Sequence, residues 1–145
     1  SKGTILKATG FSGREYTWNL NKYDVYDNDK KKRSKYHLRA RKLLKEIYHS
    51  YRILEEVKLP GSTASHRRSV LYLDFFIPNL RLGIEVHGQQ HYEYSPFFHK
   101  NKAAFLKAQS RDEDKLKWCE LNDIELVVLK YSDNEDDWRN TIKGV

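Results

Sequence analysis

The sequence predicts an α/β domain, a mixed four-stranded sheet flanked by helices. Three observations lead there. Apolar residues recur at helical spacing after Ser34, as Tyr36, Ala40, Leu43, Leu44, Ile47 and Tyr48. Two apolar runs, Val70–Ile77 and Leu82–His87, are separated by a Pro78-Asn79 turn and read as adjacent strands. A further helix-forming stretch is followed by a last apolar run, Ile124–Leu129, giving the order helix, three strands, helix, strand. At 145 residues with 39% hydrophobic content, the chain has the material for one compact core.

In order along the chain, residues 1–33 lack sustained periodicity and are expected to form a basic amino-terminal arm or flap around the aromatic segment from Tyr16 to Tyr26. Residues 34–145 are expected to form the main domain. Ser34 is a good N-cap for a helix over about 34–49. Ile53–Leu59 has strand character and stops at the turn dipeptide Pro60-Gly61. Val70–Ile77 is too apolar for a half-exposed strand and should be central, carrying one buried acid, Asp74. Leu82–His87 is the third strand of a meander, ending at Gly88. Pro96 opens one helical segment and Arg111–Leu121 a second, with Leu116, Trp118 and Leu121 as core candidates. Ile124–Leu129 is the fourth strand, and the acidic stretch from Asp133 to Asp137 with Trp138 adds a last helical turn.

Charge is unevenly distributed. Residues 1–50 hold 13 Lys/Arg against 5 Asp/Glu, whereas residues 51–145 hold 14 against 15, so the excess lies in the first third. Its focus runs through Lys31, Lys32, Arg33 and Lys35 to Arg39, and the loop after Gly61 adds Arg67 and Arg68. Such a concentration fits contacts to a polyanion. No apolar run approaches the roughly 20 residues needed to cross a bilayer, and the amino terminus shows no signal-peptide pattern. The single Cys119 forms no internal disulfide and no thiolate zinc site. A soluble protein of a reducing, cytoplasmic compartment is expected.

The chemistry centres on Asp74 and Glu85. A carboxylate inside an apolar strand is unfavourable unless something compensates its desolvation, and a divalent cation does so by direct coordination. The tight turn between the strands lets both carboxylates reach one locus, where the Val86 carbonyl adds a third oxygen for a hard ion such as Mg²⁺. The competing reading is a pair of buried acids bridged to Arg81 or Lys58. Two residues beyond Glu85, His87 is placed to move a proton or to polarise a phosphate. Gln90 and His91 crowd the same loop.

The run Asp74-Phe75-Phe76-Ile77-Pro78, the step from Asp74 to Glu85, then Val86-His87-Gly88 and His91, resembles the core of the PD-(D/E)xK nuclease superfamily. Within it the sequence looks most like the very-short-patch repair endonucleases and the free-standing phage homing endonucleases. The resemblance covers residues 34–131 and implies a restriction-endonuclease-like core that hydrolyses DNA phosphodiesters with Mg²⁺, for which Mn²⁺ substitutes. It further implies double-stranded DNA as partner, Asp74 as the invariant-type ligand, and His87 where many members carry Lys. His37 stands where the first helix of those enzymes offers a glutamate, with Glu46 as the alternative acid. Asp112 and Asp114 compete for the later acidic position. The lone cysteine provides no ligand set for the structural zinc of the repair enzymes. If the chain is phage-encoded, the host cytoplasm is its compartment.

The resulting expectation is a metal-dependent endonuclease: Asp74 and Glu85 hold the ion, His87 manages the proton, and His91, His37 and Gln90 assist. The alternatives are a non-catalytic DNA-binding module on the same fold, or a structure-specific resolvase or a ribonuclease. A resolvase would require a dimer, for which exposed aromatics in residues 11–26 offer an interface.

Overall fold

In a computed structural model of the chain, which describes residues 4–23 and 32–144, the helix that the periodicity predicts starts where Ser34 caps it. The Ser34 hydroxyl accepts from the His37 N–H at 3.1 Å, satisfying one of the first-turn amides, and α1 runs Lys35–Ile47. It buries Ala40, Leu43 and Leu44, one apolar stripe.

The strands β3 (Leu54–Leu59), β4 (Leu71–Ile77), β5 (Leu82–His87) and β6 (Glu125–Lys130) form one sheet in the order β3-β4-β5-β6. The first three make the antiparallel meander; β6 pairs with β5 in parallel. A parallel pair needs a crossover, and α2 (Lys102–Leu121) supplies it. The architecture is α/β, a mixed four-stranded sheet flanked by helices.

Two apolar clusters flank the sheet. One joins Ile53, Phe75, Ile77, Ile84, Val127 and Leu129 to α1 and to Trp138 and Ile142 of a last helix, α3 (Glu135–Lys143). The other joins Leu54, Val57, Leu71, Leu73 and Phe76 to Trp118 and Cys119 of α2 and to the amino-terminal segment. Where a single closing turn is expected, α3 is a full helix, because Asn134 and Asp137 form a reciprocal capping box.

The amino-terminal segment departs most from expectation. Its described part is a β-hairpin, β1 (Ile5–Thr9) against β2 (Glu15–Asn19), built into the core. Trp18 is buried, stacks on Phe76 at 5.0 Å, meets Trp118 edge-on at 5.2 Å, and donates from Nε1 to the Lys58 carbonyl. The Asn122 side chain accepts from the Thr9 N–H and donates to the Thr9 carbonyl, acting as a short strand partner. Gly10 lies against Gly61, so close that a Cβ would stand 2.8 Å from the Gly61 Cα. Residues 4–23 are therefore part of the packed unit and not an arm. Of the aromatics expected to offer a dimer surface, Trp18 is buried and Phe11 and Tyr23 pack on the same cluster, Tyr16 is half-buried under Arg14, and Tyr26 lies outside the described residues.

Two smaller corrections concern α2. It is one continuous helix capped by Asn101, whose side chain accepts from the Ala104 N–H, and Pro96 lies in the turn before it. Of its expected core positions only Trp118 is buried; Leu116 and Leu121 are 46% and 48% exposed.

Candidate active site

The site forms where β4 and β5 part. Their pairing runs from Ile77↔Leu82 to Phe75↔Ile84 and stops there, although both strands continue. Across this gap the side chains replace the ladder. The Asp74 N–H donates to Glu85 Oε2 and the Val86 N–H donates to Asp74 Oδ2, both at 2.8 Å. On its other edge Asp74 stands opposite Glu56, which holds a left-handed backbone at φ 49°, and β3–β4 pairing skips this position between Glu55↔Phe75 and Val57↔Leu73. Asp74 thus drops out of both ladders, and its carboxyl group shares one locus with that of Glu85. His87 turns its carbonyl to β6, accepting from the Tyr131 N–H, so the peptide groups of Val86 face the β4 gap, its carbonyl included.

The electrostatics of the pair are lopsided. Burial and the neighbouring Glu85 charge push the Asp74 carboxyl up to about 6. Burial acts on Glu85 in the same sense, but Lys115, the nearby His87 and the Asp74 N–H outweigh it and hold that carboxyl below its ordinary range. Lys115 reaches from α2 to within 2.7 Å of Glu85 Oε1. Burial lowers its own pKa, yet Glu85 and Asp74 together raise it above the usual lysine value. Neither Arg81 nor Lys58 bridges these acids: Arg81 donates to the carbonyls of Asn122 and Asp123. The compensating cation is Lys115, one positive charge against two carboxylates. This excess, on hard oxygen donors, fits a small dication held by Asp74, Glu85 and the Val86 carbonyl.

Beside the pair lie two imidazoles. His87 Nε2 stands 3.7 Å from Glu85 Oε1 and 3.9 Å from Asp112 Oδ1, is buried, and has no hydrogen-bond partner. The rings of His87 and His91 stack at 4.0 Å, and His91 Nδ1 lies 2.8 Å from Asp112 Oδ2. Gln90 is exposed and its side chain folds over Gly88. His37 does not reach the carboxylate pair as a ligand. Its Nε2 lies 2.7 Å from Glu55 Oε1 and its ring stacks on Phe75, so it is a packed, paired histidine beside Asp74. Arg41 grips the same Glu55 through two nitrogens, and these partners overcome burial to lower the Glu55 carboxyl. Glu46 pairs with Arg139 on the surface.

Sequence reasoning missed Lys115 and Glu55 and left Asp112 level with Asp114. Asp114 belongs elsewhere, bound to Arg67 and His66. Asp112 and Lys115 lie one turn apart on α2, but nothing in the sequence separates them from the other charges of that helix. Glu55 carries the mark that exposed Asp74, an acid inside an apolar strand.

The expected phosphate contacts divide. Lys31 lies outside the described residues. Lys32, Lys35 and Arg68 are exposed. Arg33 pairs with Glu56 at 2.9 Å, and Arg39 lies over the Trp138 ring and donates to the Asp133 carbonyl. Arg67 is turned inward, donating to the Ser62 carbonyl and Asp114, and so is a structural residue rather than a free phosphate ligand.

The chain is 40% identical over 76 residues to "Uncharacterized protein 307L" of Invertebrate iridescent virus 6, covering 52% of this chain and 39% of that protein. It is 42% identical over 62 residues to "Uncharacterized protein 033L" of Invertebrate iridescent virus 3, covering 43% and 32%, and 33% identical over 88 residues to "Uncharacterized protein 094L" of Frog virus 3, covering 57% of each. It therefore spans about a third to somewhat over half of these viral relatives. No family model and no solved structure matches it. Among the described residues no helix is long and apolar enough to cross a membrane.

Proposed function

We propose that the chain is a Mg²⁺-dependent endonuclease that hydrolyses phosphodiester bonds of double-stranded DNA on a restriction-endonuclease-like core. The observation that carries this reading is the parting of β4 and β5 around Asp74 and Glu85, with a buried, unpartnered imidazole nitrogen beside them. Asp74 and Glu85 hold the ion. When bound, Mg²⁺ supplies charge to the phosphate oxygens and a nucleophile at neutral pH.

The remaining side chains prepare that chemistry. Lys115 keeps Glu85 ionised and adds positive charge where a phosphate would sit. His87 offers the nitrogen that has no other partner and so manages the proton, while Asp112 orients His91 stacked against it. Lys32, Lys35 and Arg68 supply exposed charge for the backbone. Work in the host-cell cytoplasm, in a homing or recombination role, is part of this proposal; that the relatives are viral proteins fits a virus-encoded chain.

The test is cleavage of supercoiled plasmid with Mg²⁺. Asp74→Ala and Glu85→Ala are each expected to lower cleavage by at least about a hundredfold while DNA binding persists. Retained cleavage in both variants removes the site. If the wild-type chain cuts none of linear, nicked, four-way or RNA substrates with Mg²⁺ or Mn²⁺, the fold serves binding alone.

A further inference from the structure

His87, His91 and Asp112 come from the end of β5, the turn after it and the middle of α2, and one donor atom of each lies within 4.8 Å of the others. Asp112 spans the two imidazoles, with Oδ2 2.8 Å from His91 Nδ1 and Oδ1 3.9 Å from His87 Nε2. Ligands bonded at roughly 2.0–2.2 Å to one ion stand on the order of 3–4 Å apart, so these donors are within range of a shared ion. The two rings lie parallel, within 4° of one another, so for both lone pairs to meet one ion His91, whose side chain is 23% exposed, must turn out of the stack and exchange its contact with Asp112 for the ion.

A second observation points the same way. The His87 side chain is only 9% exposed, and its Nε2 is buried without a partner. A buried nitrogen left without a partner is unfavourable unless something completes it. Neither Glu85 nor Asp112 does so at 3.7 and 3.9 Å.

We propose that His87, His91 and Asp112 form a second cation site, which takes a borderline divalent ion of the Zn²⁺ or Co²⁺ class. Its two nitrogens and one oxygen suit such ions, whereas the oxygen donors of Asp74 and Glu85 suit Mg²⁺. Asp112 borders two clefts, about 310 Å³ on the His91 side and about 240 Å³ on the His87 side, which leave room for a ligand from outside. Once occupied, the site takes both imidazoles out of proton transfer and sets a fixed positive charge beside Glu85. This assignment goes beyond the nuclease reading and stands without it.

Co²⁺ titrated into the full chain in excess Mg²⁺, followed by visible absorption and calorimetry, tests it. One Co²⁺ per chain should bind, with Zn²⁺ displacing it. His91→Ala and Asp112→Asn should each weaken Co²⁺ at least about tenfold, and Asp74→Asn should change it less than about twofold. Both replaced side chains are over a fifth exposed, so the fold should survive, which circular dichroism checks. Unchanged Co²⁺ affinity in both variants, an equal loss in Asp74→Asn, or displacement by Mg²⁺ overturns the proposal, and leaves the plasmid test of Asp74 and Glu85 untouched.

Discussion

At the scale of single residues, Asp74 is held in a state that favours binding over stability. Its carboxyl titrates at about 6 against an ordinary 3.8, so the folded protein holds that proton more tightly than the unfolded chain. The stability it contributes is full below about pH 4 and is lost as the pH rises through 6. Glu85 runs the other way: its lowered pKa gives stability above the ordinary carboxyl range that is lost as the pH falls. Asp74→Asn should therefore be more stable than the parent at pH 8, on the order of 1–3 kcal/mol, and about equal at pH 4, as read from urea unfolding at the two values. An equal shift at both would show that the carboxyl charge is not what strains the site.

At the scale of elements, the hairpin and α2 were the hardest to read. The hairpin strands are short and their outward residues mixed, so nothing in Ile5–Thr9 or Glu15–Asn19 announces that Trp18 fills a core. The Trp18 ring closes one side of the sheet against Phe76 and Trp118. Trp18→Ala should cost about 3–5 kcal/mol in chemical denaturation, whereas an arm would tolerate it with almost no change. Helix α2 buries only Asp114, Trp118 and Cys119, so it lacks the apolar stripe by which α1 is recognised. Its charged residues look alike in the sequence; packing alone separates Lys115, turned to Glu85, from Lys107 and Lys117 on its exposed face.

At the scale of the whole molecule, the surplus of positive charge is partly internal. Arg67 and Arg41 are engaged with buried acids, which leaves Lys32, Lys35 and Arg68 among the described basic candidates that face solvent. Replacing these three by Gln should weaken DNA binding evenly across sequences and flatten the slope of log affinity against log salt by about 2–3. Arg67→Gln should instead lower stability, since it leaves Asp114 buried with less compensation. A triple variant with an unchanged salt slope would place the polyanion on another face.

The sequence by itself determined the α/β order, the capped first helix, the meander and the meeting of Asp74 with Glu85. Each of these is written in local pattern: apolar period, turn residues, or a polar residue where an apolar one belongs. The tertiary structure alone decided that Lys115 compensates Glu85, that Asp112 rather than Asp114 faces the imidazoles, that Glu55 captures His37, and that the amino terminus is core. The physical reason is that a charged side chain on a helix carries no local mark of its partner, which is chosen only when distant elements close over it.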